Sequence, residues 1–253
     1  MNEEIQYEIP LNECYRSLLR LEYLFIEIKR QLQSSHRASH YYCLRQLFVL
    51  IDFFERSDFK AELIRELERK IKVYHNLEEL DVVDQDKLHT FLEQLGTLSS
   101  WFRGQHSKIG SQLLTDSFLS QAKNKLSLRV PRLSFDAPAV KSFLSMDAEL
   151  RKTKLNDWYT AFKAVQTSTE VLLRLARESA EFETIETSDG FYQEDCNSSL
   201  NLIAIRFAHQ YKNLFPEVST SSRRFSIHFM FLDKNLATKP WQQFIAFELA
   251  KLG

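Results

Sequence analysis

The chain has 253 residues, of which 44% are hydrophobic and 26% are charged, and its formal net charge is −1. This composition can bury a core and excludes a chain that is disordered throughout. The near-neutral charge argues against a non-specific nucleic-acid binder, which needs a strong basic excess. The 5 glycines are few for a protein with glycine-rich phosphate loops or a dinucleotide-binding crossover.

Neither targeting nor membrane insertion is indicated by the sequence. The stretch from Met1 to Ile5 is acidic and contains no apolar run, so we expect no secretory signal. No stretch of about 18 uncharged apolar residues occurs, so we expect no membrane span and no membrane partner. The cysteines Cys14, Cys43 and Cys196 are far apart, which is typical of reduced thiols in a cytoplasmic protein.

In chain order, the first half of the sequence predicts helices. A short alternating strand at residues 5–10 precedes a helix with a heptad-like apolar stripe over residues 11–32. Similar three-and-four spacings predict four further helices, around residues 44–54, 59–76, 84–104 and 110–125. Asp84 is the expected N-cap of the third of these.

The pattern changes at residue 126. Alternating residues predict two short strands, at 126–130 and 133–135, and a proline near its start predicts a helix over 138–150. A long helix is expected from Leu155 to Ser179, with a second heptad-like stripe over residues 155–176. Both stripes fit the core of a helical bundle, although part of one could instead form a dimer seam.

The last quarter of the chain predicts strands. Residues 182–187 and 191–193 flank Ser188-Asp189-Gly190, and Asp-Gly between alternating residues is a strong hairpin signal. Three more strands are expected, at residues 200–210, 224–232 and 244–249. We therefore predict an α+β fold with an N-terminal helical bundle and a C-terminal antiparallel β domain, with the chain interleaved between them. The predicted ranges are 11–125 plus 152–180 for the helical domain, and 1–10 plus 126–151 plus 181–253 for the β domain.

The strand from Arg224 to Leu232 is the most informative candidate for a binding surface. Its alternating aromatic and aliphatic residues predict one buried face, and the opposite face would present Arg224, His228 and Met230. Cations in a row on a rigid strand suit an acidic or carboxylate-ended partner, although an ordinary solvated strand face fits the same pattern. Arg56, at the end of the second helix, is either a cation favoured by the helix dipole or a residue delivered to a cleft between domains.

No catalytic or metal-binding motif stands out. His36 and His40 could share a helical face, but we interpret them as exposed residues of a serine-rich break without a third ligand. The sequence contains no CxxC, HExxH, GxSxG or P-loop pattern. Acidic residues lie mostly beside lysines and arginines, so nothing selects a carboxylate pair for hydrolysis. We expect no enzyme activity, no cofactor and no metal.

Short segments spread along the chain carry a family resemblance. They are Pro10-Leu11-Asn12-Glu13, Leu21-Glu22-Tyr23-Leu24, Phe54-Glu55-Arg56, the stretch 62–67, Ser134-Phe135-Asp136, Gly190-Phe191-Tyr192-Gln193, the stretch 224–233 and Phe247-Glu248-Leu249-Ala250. Taken in this order, they resemble the ZapD family of bacterial cell-division proteins. Members of that family bind FtsZ, the tubulin-like GTPase of the division ring, and bundle its filaments.

The resemblance implies a homodimer formed through the helical domain, no catalytic activity, and a cytoplasmic location at the mid-cell division ring. It also implies a basic pocket between the domains that holds the C-terminal tail of FtsZ. Arg56 and Arg224 match the family pattern, whereas His228 stands where the family can place arginine. Arg223, Lys141 and the apolar Met230 are further candidates for this pocket. A nucleic-acid-binding protein using the same arginines and an unrecognised hydrolase remain the alternatives.

Overall fold

The computed structural model describes residues 5–76, 84–128, 130–195, 200–221 and 223–253. After one strand at residues 5–10, the described helices precede the remaining strands along the chain. The α+β architecture is therefore as predicted. Its contacts divide the chain into two compact units, which we call the β unit (Met1–Leu19 with Leu172–Gly253) and the helical unit (Arg20–Val171). Cys196 lies outside the described residues.

The described α-helices begin and end close to most of the predicted limits. They are α1 Glu13–Gln33, α2 Arg37–Arg56, α3 Phe59–His75, α4 Gln85–Gly104, α5 Ser117–Leu126, α6 Pro138–Ser145, α7 Ala148–Tyr159 and α8 Lys163–Glu178. The predicted N-cap at Asp84 is confirmed, because its carboxylate accepts a hydrogen bond from the backbone N–H of Lys87 at 3.1 Å. Asp116 and Asp147 cap α5 and α7 in the same way.

Both apolar stripes lie in the core of the single chain. The stripe of α1 is at most 9% exposed at Leu18, Leu21, Phe25, Ile28 and Leu32. The second stripe is fully buried at Leu155, Phe162, Val165, Thr169, Leu172 and Ala176. The bundle interpretation is therefore confirmed, and these buried side chains are not available for a dimer seam. The apolar side chains that remain exposed on α1 and α2 are others, such as Tyr23 and Tyr42.

The segment 126–151 differs from the prediction. Leu119, Ala122 and Leu126 are buried at successive spacings of three and four residues, so Leu126 is the last inward position of α5. Residues 133–136 form turns. The described part of this segment therefore contains no strand, and Leu128 and Val130 are exposed. Helix α6 instead buries Val140 and Phe143 and packs against α2. Residues 126–151 thus belong to the helical unit rather than to the β domain.

The long helix predicted over residues 155–179 is two helices. Helix α7 already begins at Ala148 and ends at Tyr159, and a 3₁₀ turn over Thr160–Phe162 leads into α8. The buried stripe continues across this turn, because Leu155, Phe162 and Val165 all have no exposed surface. The spacing of buried apolar residues is therefore maintained across the 3₁₀ turn. For this reason the sequence pattern did not reveal that the helix is interrupted there.

Two antiparallel sheets form the β unit. The first has the order β1-β4-β8-β2, with β1 Ile5–Pro10, β2 Phe182–Thr187, β4 Leu202–Phe207 and β8 Ile245–Leu252. The second has the order β3-β6-β5, with β7 also paired to β6; its strands are β3 Phe191–Asp195, β5 Leu214–Thr220, β6 Arg224–Leu232 and β7 Thr238–Pro240. Both sheets contribute side chains to one core, which contains Phe207, Phe225, Phe229 and Phe247. Strands β5 and β7 were not predicted, because β5 contains Pro216 and β7 is three residues long.

The predicted hairpin of β2 and β3 is wrong, although both strands exist. Strand β2 pairs with β8 in the first sheet, and β3 pairs with β6 in the second. The turn between them is present, since the N–H of Gly190 donates to the Thr187 hydroxyl oxygen at 2.9 Å. Gly190 has a φ of +71°, and a Cβ there would lie 2.1 Å from the carbonyl oxygen of Trp241. The turn therefore carries the chain from one sheet to the other at a position that requires glycine.

A buried arginine–histidine pair fixes one corner of the helical unit. The Nε of Arg151 donates to Nδ1 of His40 at 2.9 Å, and its Nη2 donates to the carbonyl oxygen of Ser35 at 2.8 Å. A further guanidinium nitrogen donates to the carbonyl oxygen of Met146. His40 is fully buried inside α2, so its interpretation as an exposed loop residue is wrong. Its burial, together with the charge of Arg151, lowers the pKa of His40.

We expect Gly190→Ala to destabilise the β unit by about 2 kcal/mol or more, because it combines a strained φ with a backbone clash. Gly96→Ala is the matched control, since a Cβ at Gly96 in α4 meets nothing within 4 Å. That control should be neutral or stabilising by about 0.5–1 kcal/mol. Urea unfolding of both variants measures the difference. Equal midpoints for the two variants would contradict the role given to Gly190.

The lowered pKa of His40 gives a pH dependence of stability with a definite sign. As pH falls below the ordinary histidine value of 6.5, the unfolded chain takes up a proton before the folded chain does. The free energy of unfolding should therefore fall between pH about 7.5 and about 5.5. His40→Asn keeps an acceptor for Arg151 and removes the titrating group, so the free energy of unfolding should depend less on pH in this variant. Glu149 and Lys152, the other charges acting on His40, are unchanged by the substitution. Denaturant titrations at both pH values test this, and equal slopes would contradict it.

Candidate functional site

The outward side of β6 is the strand face predicted from the sequence. Phe225, Ile227 and Phe229 are fully buried, whereas Arg224 and His228 are exposed. We call the outward residues Arg224, Ser226, His228 and Met230 the β6 face. The strand begins where the backbone of Arg224 is tied to Ser221: the Ser221 N–H donates to the Arg224 carbonyl at 2.8 Å. The structure therefore brings together three of the predicted site residues on one rigid strand.

Carboxylates border the cations of the β6 face. Residues directly opposite one another in an antiparallel pair share a face, and Arg224 lies opposite Asp195 of β3. The Nε of Arg224 is 3.7 Å from a carboxylate oxygen of Asp195, and both side chains are more than half exposed. An exposed pair of this kind contributes between about 0 and 1 kcal/mol, so an incoming carboxylate can compete for Arg224. His228 has a similar neighbour, because it lies opposite Glu217 of β5.

Apolar side chains complete this surface. The ring of Phe191 on β3 lies against that of His228, with ring centroids 4.6 Å apart, and Phe191 is 38% exposed. Met230 lies between Phe215 of β5 and Pro240 of β7 in the strand register. The β6 face therefore presents two potential cations beside a partly exposed apolar floor. Met230 was predicted for this role, and Phe191 and Phe215 were missed because their position depends on which strands pair.

Arg223 directly precedes β6 and is exposed. It forms no ion pair with any other residue in the described part of the chain. Lys141 is also exposed, on α6, and shows no ion pair within the described ranges. Lys141 lies in the helical unit and not in the β unit with β6.

Arg56 is the last residue of α2, in the helical unit, and its side chain is exposed. The helix ends there because Ser57 is extended, with its N–H and its hydroxyl both donating to the carbonyl oxygen of Phe53, at 3.1 and 2.7 Å. Arg56 makes no ion pair with the residues that the structure describes. Among the described residues, its guanidinium is therefore open to an acidic partner.

A cavity of about 230 Å³ lies at the corner between α2 and α3, directly after Arg56. Its lining includes Ser57, Lys60, His106 and Lys108. The ammonium group of Lys60 donates to the carbonyl oxygen of Gln105 at 2.7 Å, which holds the 105–109 loop against α3. One of these lysines is paired within the lining, because the Nζ of Lys108 lies 3.3 Å from a carboxylate oxygen of Asp58, so Lys60 is the cation that the corner adds beside Arg56. The sequence pattern did not indicate this grouping, because Lys108 lies far from Arg56 along the chain.

Two further properties concern membranes and metals. No helix within the described ranges is both long enough and apolar enough to cross a membrane. Over the same residues, no group of three or more histidine, cysteine and acidic side chains is placed to hold a metal ion.

Comparison with known proteins gives a consistent family. The family model for the cell division protein ZapD matches residues 19–228. The chain is 31% identical over 233 residues to the cell division protein ZapD of Shewanella sp. (strain MR-4), covering 91% of this chain and 93% of the relative. It is 30% identical over 250 residues to ZapD of Cronobacter sakazakii, covering 99% of both chains. ZapD of Shewanella baltica (strain OS185) is 31% identical over 228 residues, 90% of this chain and 91% of the relative.

Proposed function

Because the chain belongs to the ZapD family of cell division proteins, we propose that it binds the C-terminal tail of FtsZ and cross-links FtsZ filaments as a homodimer. FtsZ tails combine acidic with apolar residues. The observation that carries the proposal is the β6 face, where Arg224 and His228 lie beside Phe191 and Met230. A surface that combines cations with apolar area matches both components of such a tail.

The chemistry of binding follows from the neighbours of each cation. The guanidinium of Arg224 can hold a carboxylate with two parallel hydrogen bonds, and its exposed pair with Asp195 is weak enough to exchange. His228 adds charge only when it is protonated, and Glu217 faces it from β5. Apolar residues of the tail would cover Phe191 and Met230, which gains about 25 cal/mol per Å² of apolar surface removed from water.

The helical unit supplies a second set of cations. We propose that Arg56 also contacts acidic residues of FtsZ, with Lys141 on the same unit as a weaker candidate. Arg223 is the corresponding weaker candidate on the β unit. The absence of any ion pair for Arg56 within the described chain supports this role, since no internal partner has to be displaced. Lys60 in the adjacent corner adds positive potential next to it, whereas Lys108 in the same corner is paired with Asp58.

Filament cross-linking requires two binding sites on one rigid body, which a homodimer provides. Each contact can be weak, because a filament displays many tails and the effective concentration of the second tail is high. Exposed apolar side chains of the helical unit support an interface there: Tyr23 and Ile26 on α1 are 67% and 57% exposed, and Tyr42 and Val49 on α2 are 58% and 49% exposed. The proposed role needs no catalysis, and it locates the protein in the cytoplasm at the division ring, where FtsZ assembles.

The alternatives that the sequence left open gain no support from the site. A nucleic-acid surface needs a strong basic excess, which a chain of net charge −1 does not supply. A hydrolase with a general acid needs a carboxyl group of raised pKa. Among the described carboxyl groups whose pKa is shifted, the shift is downward, as at Glu68 and Asp233, where hydrogen bonds from Arg103 and Lys239 stabilise the carboxylate.

Charge reversal should separate the proposed site from the rest of the surface. Arg224→Glu and Arg56→Glu should each weaken binding of an FtsZ tail peptide by about 2–5 kcal/mol if the contacts are desolvated. Lys234→Glu on the β unit and Lys72→Glu on the helical unit change the net charge equally at other exposed positions, and they should bind as the wild type does. Fluorescence anisotropy with a labelled peptide measures all four variants. Wild-type affinity of the Arg224→Glu variant would refute the β6 face as the site.

The proposed homodimer predicts a solution mass of twice 29.9 kDa. Light scattering after size-exclusion chromatography should give this mass at micromolar concentration. Introducing a charge by Ile26→Glu should lower the dimer fraction if the exposed face of α1 lies in the interface. A monomer mass at high micromolar concentration would contradict the proposed cross-linking mechanism even if the tail peptide binds.

A further inference from the structure

The α2 sequence predicts an internal partner for Arg56. Asp52 lies four residues before Arg56, and an acidic residue four positions before a basic one is the favourable order for an ion pair on a helix. Such a pair would neutralise the cation that the proposed function requires. The structure shows a different pairing.

Lys123, a lysine from another helix, forms ion pairs with the two carboxylates nearest to Arg56 along α2, Asp52 and Glu55. The Nζ of Lys123, on α5, is 2.8 Å from a carboxylate oxygen of Asp52 and 3.1 Å from one of Glu55. Lys123 is 21% exposed, so water screens these pairs less than it screens most surface pairs. Hydrogen bonds to Asp52 and Glu55 raise the pKa of Lys123, which keeps it charged. Arg56 itself forms no ion pair in the described chain.

Helix α5 is built to hold Lys123 in this place. Asp116 caps its N-terminus by accepting from the backbone N–H groups of Phe118 and Leu119, at 2.8 and 3.1 Å. Leu119 and Ala122 are buried on one side of the helix, and α5 packs against α2. These contacts fix the axial position and the rotation of α5, which places Lys123 against the end of α2.

We propose that Lys123 is a positioning residue for FtsZ binding: it holds Asp52 and Glu55 away from Arg56 and so keeps Arg56 available for an acidic partner. This inference rests on the proposed function. Without Lys123, Asp52 would pair with Arg56 along α2, and the local charge of the remaining three side chains would be negative. An acidic tail would then meet a neutralised arginine and a repulsive carboxylate.

A double-mutant cycle tests the inference on the intact protein with an FtsZ tail peptide as the probe. Lys123→Met should weaken peptide binding roughly 3- to 30-fold in the wild-type background. Because Lys123 acts through Arg56, the same substitution should change affinity less than about 2-fold in an Arg56→Ala background. Lys123→Arg keeps the charge and should bind within about 2-fold of the wild type.

A rescue variant separates positioning from structural support. The triple variant Lys123→Met, Asp52→Asn, Glu55→Gln removes the competing carboxylates, so it should recover affinity to within about 2-fold of the wild type or exceed it. Thermal unfolding of every variant identifies those that fail to fold. If Lys123→Met is one of them, the affinity of the triple variant tests the inference instead. Weak binding by a folded triple variant would overturn the inference, as would equal losses from Lys123→Met with and without Arg56.

Failure of the proposed function gives a different result. If the wild-type protein does not bind the peptide, or if Arg56→Ala has no effect, the proposed function or the role of Arg56 is wrong. If the wild type binds, Arg56→Ala weakens binding and Lys123→Met does not, the inference about Lys123 alone is overturned.

Discussion

Burial of the aromatic side of β6 is the constraint on which the rest of the site depends. Phe225, Ile227 and Phe229 have no exposed surface, and they share a core with Phe207 and Phe247 from the other sheet. Removing one buried phenylalanine side chain typically costs about 3–5 kcal/mol, so the strand cannot slip by one residue without losing most of its stability. That penalty holds Arg224, His228 and Met230 outward. The β6 face is thus the obligatory reverse side of the core.

The sequence predicts which face of a helix or strand is buried, because that follows from the local spacing of apolar residues. It does not predict which strands pair with one another. The alternation of β6 and the stripes of α1 and α8 were visible because one buried face imposes its period on the residues themselves. The hairpin at Asp189-Gly190 was a reasonable expectation from the same local signal. It was wrong because β2 and β3 have better partners in β8 and β6, which lie far along the chain.

The segment 126–151 illustrates a second limit. Leu126 and Leu128 alternate as strand residues do, yet only Leu126 is buried, as the last inward position of α5. Two apolar residues are too few to distinguish a helix end from a short strand. The packing of α6 against α2 determines that this segment is helical, and a single sequence does not show that contact.

Electrostatic environment was the least predictable part of the site. Arg56 and Arg224 could be selected as cations, but the charges that govern them come from elsewhere in the chain. Asp195 reaches Arg224 through strand pairing, and Lys123 reaches Asp52 through helix packing. The first contact partly neutralises Arg224, and we propose that the second keeps Arg56 without an ion pair among the described residues. From the sequence of α2 alone, Arg56 would be expected to form an ion pair with Asp52, which lies four residues before it.

We propose above all that this protein recognises FtsZ through the C-terminal tail. Co-sedimentation with FtsZ filaments, using FtsZ with and without that tail, is the decisive measurement. The protein should pellet with filaments of intact FtsZ and remain in the supernatant with filaments that lack the tail. Equal pelleting with both kinds of filament would contradict it.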